Sequence, residues 1–344
     1  MMTSFTEYLT DVFEMVPMFG LLLGFFVGVV YLMKKLLKSG IANAGEPIIT
    51  DTQLTDADNV AFAVLFGAFF WSMADAMSGA TFGTGLNFQI DAIDVLVGCV
   101  AALVLNIGTF LIVDKFGLSK FSVWKEVLTD KNVGTALVLG GAFVANGRIL
   151  NGVMSGESDG LLMSLRDILV YWGVGQLFIL VCIRLYQAIT KYDIHKVIAH
   201  DDSAMVGLVM GAFIAAEGII LRGALYRASG NIGEELPTVI LAGSLGLLLL
   251  VAGRVIADLI FLPKSPLAHE IVKDRNLGAA IIAAVVFIAI AGFYANVMTS
   301  SIDTFARDNL VAAADPNQFV VESIEAAPGV DLESVLDAPV TETN

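Results

Sequence analysis

Three ionisable side chains stand inside apolar stretches: Asp75 in "GAFFWSMADAMSG", Arg148 in "GGAFVANGRILNG" and Glu217 in "GAFIAAEGIILRG". A charge at the centre of a bilayer costs roughly 2.5–3.5 kcal/mol on insertion scales, so such groups face protein or water rather than lipid. Counted from the polar residue that opens each stretch, Asp75 and Arg148 lie sixteen residues along and Glu217 fourteen. At about 1.5 Å per helical residue this places all three about 21–24 Å from that edge. Asn146 and Asn151 fall at or just beyond the same level. A layer of this composition has two possible uses. The acids and the arginine pair across helices and hold their register, or they line a cavity that binds or passes a small ion or polar solute. A second, inner polar layer is expected from Asn106, Arg184 and Arg254, seven to ten residues before the lysines that follow their helices. Asp258 comes one turn after Arg254, a spacing that permits an ion pair on one helix face.

Other chemistry-bearing patterns dissolve on inspection. "GESDG", Gly156 to Gly160, fits the nucleophile pattern G-x-S-x-G, but no strand precedes Ser158, and His195, His200 and His269 map to the opposite face. Those histidines lack HExxH spacing and read as solvated loop residues, so no metal is expected. Cys99 and Cys182 lie in apolar runs without CxxC spacing and read as small buried hydrophobes. No phosphate loop or dinucleotide fingerprint occurs; neither a cofactor nor an enzymatic reaction is expected.

The elements that hold these groups are helices. With 57% hydrophobic and 15% charged residues among 344, and a mean hydropathy of +0.80, the chain reads as a polytopic membrane protein. A spanning helix needs about 20 apolar residues. Runs of that kind occur near 16–37, 59–79, 92–113, 132–154, 167–189, 203–225, 238–262 and 276–298. The fold class is therefore all-α, a bundle of eight transmembrane helices. Strand alternation is absent from the pattern. The N-terminal stretch carries Glu7, Asp11 and Glu14 in place of a basic leader, and Lys34, Lys35 and Lys38 follow the first run, which is expected to remain as an anchor.

All eleven lysines fall on the connections after helices one, three, five and seven. Arg166, Arg222, Arg227 and Arg307 lie near the other interface. The positive-inside rule makes the lysine-bearing loops cytoplasmic and both termini extracytoplasmic. The net charge of −15 comes largely from residues 299–344, where nine acids face Arg307 alone. That tail mixes Ala, Pro and Thr with its acids and is expected to be disordered, with one short helix around Asn317 to Ala326. The acidic balance argues against nucleic acid as a partner.

The chain repeats itself. "DNVAFAVLFGAFFWSMADAMSG", "KNVGTALVLGGAFVANGRILNG", "DSAMVGLVMGAFIAAEGIILRG" and "RNLGAAIIAAVVFIAIAGFYAN" each open with a charge and a small polar residue. The openings Asn59, Asn132, Ser203 and Asn276 are 73, 71 and 73 residues apart, one helical hairpin per step. A larger period of two hairpins divides the chain into a four-helix module over 1–156, a second over 157–298, and the tail 299–344. Because each step contains an even number of crossings, the copies share one orientation, unlike an inverted repeat. The opening residues can cap the first free amides of their helices. Gly20, Gly24 and Gly28 on the first helix, and Gly207 and Gly211 on the sixth, form small-xxx-small ridges that admit close helix packing.

The openings "DNVAFAVLFGAF", "KNVGTALVLGGAF" and "RNLGAAIIAAVVF" resemble the bacterial inner-membrane YjfL family, domain of unknown function 350 (DUF350), whose module has four helices. The resemblance covers about 15–155 and 160–300 as tandem copies. Ser203 departs from the asparagine, and the last segment lacks Gly-Ala-Phe. It implies an inner-membrane location and this topology; the family brings no established reaction. The expected function is that of a structural or partner-scaffolding membrane protein. The alternative is a channel or small-solute transporter using the Asp75, Arg148 and Glu217 layer. The expected partners are the lipid bilayer, an unidentified membrane or soluble protein, and a second copy of the chain.

Overall fold

Four helices begin in the same way, and the opening residues explain why. Asn59, Asn132, Ser203 and Asn276 sit at the first turn and accept from the amides of Phe62 (3.0 Å), Thr135 (3.0 Å), Val206 (3.4 Å) and Ala279 (3.2 Å). Each satisfies one amide that the helix leaves without a partner. The charged residue before each cap, Asp58, Lys131, Asp202 or Arg275, holds a left-handed φ of 46–52°. That turn lets the chain enter the helix steeply from the connection before it.

The computed structural model describes residues 2–81, 88–156, 160–226 and 230–313. Ser158, Arg227 and the tail beyond Ala313, including the short helix expected there, lie outside the described residues. Eight long helices run in chain order: α1 (Met2–Lys38), α2 (Val60–Ala80), α3 (Phe88–Ile112), α5 (Val133–Met154), α6 (Leu161–Ile189), α8 (Ala204–Leu225), α9 (Ile232–Ile256) and α11 (Leu277–Ala313). Each contains a segment long and apolar enough to cross a membrane. No strand occurs among the described residues. Three six-residue helices, α4 (Val123–Leu128), α7 (Ile194–Ala199) and α10 (Leu267–Val272), stand on the lysine-bearing connections. Their caps Ser122, Asp193 and Pro266 each precede the next helix opening by ten residues, so the repeat extends into the loops.

Four helices start earlier than hydropathy indicates: α1 at Met2, α3 at Phe88, α6 at Leu161 and α9 at Ile232. α6 begins before Arg166 and Asp167, which pair with each other (2.6 Å) inside its first turns. α9 begins before Pro237, with Glu234 and Glu235 in its first turn, where the helix dipole favours acids. Hydropathy alone discards both charged turns.

The two sequence modules do not stay apart. Residues 1–296 form one compact unit, and the remaining unit, 297–344, is helical through Ala313. Within the first unit α2, α5, α8 and α11 stand in succession, and α5 and α8 are the most enclosed. Their contacts are backbone to backbone. A Cβ on Gly147 would strike Ser72 of α2, and one on Gly79 would strike Asn151 of α5. Gly207, Gly211 and Gly218 of α8 lie in the same way on Gly134, Leu137 and Ala145 of α5. Gly223 of α8 lies on Ala295 of α11, and Phe213 meets Phe287 edge-on at 5.2 Å. Helices α3, α6 and α9 flank this row. A Cβ on Gly20, Gly24 or Gly28 of α1 would meet no other element within 4 Å among the described residues, and this ridge faces outward.

The same openings fasten one repeat to the next. The Asn59 amide donates to the Val127 carbonyl (2.8 Å), and that of Asn132 to the Ile198 carbonyl (2.7 Å) and the Asp202 carboxylate (2.9 Å). In the reverse direction Lys131 donates to Ala57 O (2.5 Å) and Arg275 to Asp201 O (2.6 Å). The charge-plus-asparagine signature therefore does two jobs, capping its own helix and bridging to its neighbour.

Candidate functional site

Close backbone approach between α2 and α5 brings their polar side chains within reach of α3 and α6. Asn106 of α3 accepts from the Ser72 hydroxyl (3.0 Å) and from the Asn146 amide (3.0 Å), and donates to the Phe69 carbonyl (3.2 Å). The Asn146 oxygen accepts in turn from Thr109 (2.9 Å) and from the Gln176 amide of α6 (3.1 Å). Trp172 closes the string by donating to Thr109 (3.3 Å). Ser72, Asn106, Thr109, Asn146 and Gln176 are all buried. Four helices are joined by one hydrogen-bonded string at membrane depth. In a hydrocarbon surrounding each such bond contributes about 0.6 kcal/mol on average.

A second cluster joins α2, α5 and α8 one level further from the lysine-bearing end. Asp75 and Arg148 pair at 3.3 Å, and the guanidinium lies over the Trp71 ring at 5.0 Å. Asn151 donates to Asp75 O (2.8 Å) and to the Ser78 hydroxyl (2.9 Å), and accepts from Arg222 (2.6 Å). Neighbouring arginine charges thus surround one acid and one amide.

Glu217 belongs to neither cluster. The sequence places it in one layer with Asp75 and Arg148, but the structure brings together only those two. The reason is angular. Glu217 is fourteen residues past its helix opening and the others sixteen, and two residues turn a helix by about 200°. Glu217 instead takes the place in its repeat that Asn146 takes in the preceding one. It is 1% exposed, and neither carboxyl oxygen has a hydrogen-bond partner among the described residues.

The expected inner layer also divides. Asn106 sits with Asn146, because α3 runs for 25 residues before its closing π turn and α5 for only 22, so equal counts along the two helices are not equal depths. Arg184 donates to Phe116 O (3.1 Å) at the surface. Arg254 is buried, with its guanidinium over the Tyr186 ring at 5.7 Å. The permitted pair with Asp258 does not form among the described residues, because a π turn at Ala257–Phe261 breaks the one-turn spacing. Asp258 accepts from the Leu267 amide (2.5 Å) at the start of α10 instead, as Asp114 does from Val123 (3.3 Å) before α4. Those two contacts are 144 residues apart, the larger repeat period.

Ser72, Thr109, Trp172 and Gln176 were not legible in the sequence as members of this string: Ser72, Thr109 and Trp172 barely lower the hydropathy of their helices, and Gln176 stands as a lone amide in its run. One signal was present: Asn106, Gln176 and Gly246 are spaced by 70 residues, near the hairpin period. At the lysine-bearing end His269, Glu270 and Asp274 gather within ligand distance of one another. His269 pairs with Asp274 (3.1 Å) and Glu270 accepts from Asn276 (2.8 Å), so the group is an exposed part of the connection.

The family model described as Domain of Unknown Function (DUF350) matches the chain twice, over residues 9–154 and 159–298. No curated protein and no solved structure matches it. The two matched segments meet at the short connection between α5 and α6, and each covers three long helices whole and most of a fourth. The chain belongs to the DUF350 family, as a tandem duplication of its helical module within one multi-pass membrane protein.

Proposed function

We propose that this protein is a structural, partner-scaffolding component of the bacterial inner membrane, without catalytic activity. Its lysine-bearing connections lie in the cytoplasm and both termini outside. The observation that carries this reading is that the intramembrane amides and the Asp75–Arg148 pair are engaged with one another across four helices. Such groups hold register and leave little to offer a passing solute. A cavity of about 360 Å3 between α1, α2, α3 and α4 supports the same view: it is lined by Met33, Leu37, Phe62, Phe66, Phe110 and Trp124, and suits an acyl chain better than an ion. The partner surfaces are the basic connections and the acidic tail.

The test is a double-mutant cycle with a flux control. Asp75→Asn and Arg148→Gln each lower the melting temperature in detergent, and the double substitution recovers part of the loss. The coupling is on the order of 1 kcal/mol, as expected of a partly exposed ion pair. Proteoliposomes should show no more ion leak than protein-free vesicles. A flux that Asp75→Asn abolishes in a well-folded protein would replace this reading with that of a channel or transporter. One observation favours that second reading, the unpartnered carboxyl of Glu217.

A further inference from the structure

The repeat shows what is unusual about Glu217. In the preceding copy the equivalent position is Asn146, and its oxygen accepts from Gln176 on the next flanking helix (3.1 Å). Seventy residues after Gln176, on α9, the corresponding position is Gly246. A Cβ at Gly246 would already lie 3.4 Å from Glu217 Oε2, so α9 passes directly against the carboxyl and presents no donor to it. The two copies differ at both places together: a carboxyl stands where the other has an amide, and a glycine where the other has the side chain that satisfies it.

Among the described residues, the other elements packed around Glu217 supply no counter-charge. From α6 the titratable neighbour is Cys182, and from α11 it is Tyr294. The Tyr294 hydroxyl is already committed to the Ala242 carbonyl (3.2 Å). From α5 the facing residue beside this turn is Ala145, which lies on Gly218. A carboxylate without donors or a cation, sealed among apolar side chains, is too costly to persist; a carboxyl that carries its own proton is compatible with the site.

We propose that Glu217 is an intramembrane proton-binding site, a single carboxyl that loads one proton in the resting protein and gives it up to solvent when the surrounding helices open. The ligand is the proton itself. The step is the making and breaking of one O–H bond, with no other co-reactant. This goes beyond the structural reading above and does not depend on it, because a proton site can report pH to a scaffold as well as drive a transporter.

Infrared spectroscopy of the purified full-length protein in lipid tests it. At neutral pH the wild type should show the C=O stretch of a protonated carboxyl, which Glu217→Gln loses and Asp75→Asn keeps. The band should shift on transfer to heavy water and vanish under strongly alkaline conditions. A wild-type spectrum without that band at neutral pH, or a band unchanged in Glu217→Gln, overturns the proposal. A band that never shifts in heavy water also overturns it, because the proton is then locked in place. The heavy-water measurement uses the wild type alone, so a band that fails to shift overturns the proposal even if Glu217→Gln fails to fold.

Discussion

Glu126 and Glu270 occupy the same place in two copies of the connection, six residues before a capping asparagine, and each accepts from it at 2.8–2.9 Å. Their surroundings set them apart. Burial pushes the Glu126 carboxyl up, with the Asn132 amide partly opposing it, whereas the bonds from Asn276 and Ser265 pull the exposed Glu270 carboxyl down. A raised carboxyl contributes stability that is present in acid and lost as the pH rises through its folded value; a lowered one contributes above its ordinary value and loses it as the pH falls. Glu126→Gln should therefore raise the melting temperature at neutral pH, with the gain fading in acid, and Glu270→Gln should lower it at neutral pH, with the loss fading in acid. The first copy carries a glutamine at this place, where Gln53 accepts from Asn59 (2.8 Å). Melting curves across pH check both signs. Deeper in the membrane, Asn146→Leu removes three side-chain hydrogen bonds and should cost about 2 kcal/mol at the usual ~0.6 kcal/mol each, measured as a lower midpoint of denaturation. The sequence pointed to Asp75 with Arg148, and to Asn106 and Asn146 as polar residues at depth. It did not show who meets whom, because side-chain azimuth depends on single-residue offsets and on helix lengths that a depth count averages away.

Helices α5 and α8 touch through glycine, and this contact has no slack. A Cβ on Gly218 would run into the backbone of Ala145, and one on Gly141 into that of Gly211. Overpacking of a rigid contact costs typically 1–3 kcal/mol, and more when backbones are forced apart. Gly141→Leu should therefore sharply reduce the yield of monodisperse protein by size exclusion. Gly24→Leu should leave it unchanged, because a Cβ on Gly24 of α1 would meet no other element within 4 Å among the described residues. The contrast matters because the two ridges look alike in sequence. Small residues at four-residue spacing show where backbones can approach, and only the assembled bundle decides where they do. The eight long helices were readable because bilayer thickness fixes the length of an apolar run. The six-residue helices α4, α7 and α10 were not, since elements so short take their stability from the caps and tertiary contacts around them. The repeat extends through these connections as well, with caps placed ten residues before the openings, a regularity visible only once the helices are known.

Because each step of the repeat is one hairpin, the orientation of a single connection determines all the others. Asn59 reaches the connection of the second repeat and Asn132 that of the third, so these openings stand at one common end of the compact unit. That end carries Lys120, half of an exposed pair with Asp193 at 3.2 Å. Glu234, exposed in the first turn of α9, lies one full crossing away from it. The two native cysteines are buried and should stay silent, which makes single-cysteine labelling clean. With the lysine-bearing side in the cytoplasm, Glu234→Cys should react with a membrane-impermeant maleimide in intact cells, and Lys120→Cys only after permeabilisation. Neither position bears on the buried polar groups, so expression and melting temperature should match the parent. The reverse pattern would invert the molecule while leaving the duplication intact. Reaction of both from the same side is the more damaging result, since it removes a crossing from the three helices α5, α6 and α8 that separate them. A module with an odd number of crossings would place its copy upside down, and the paired openings could not then meet at one end.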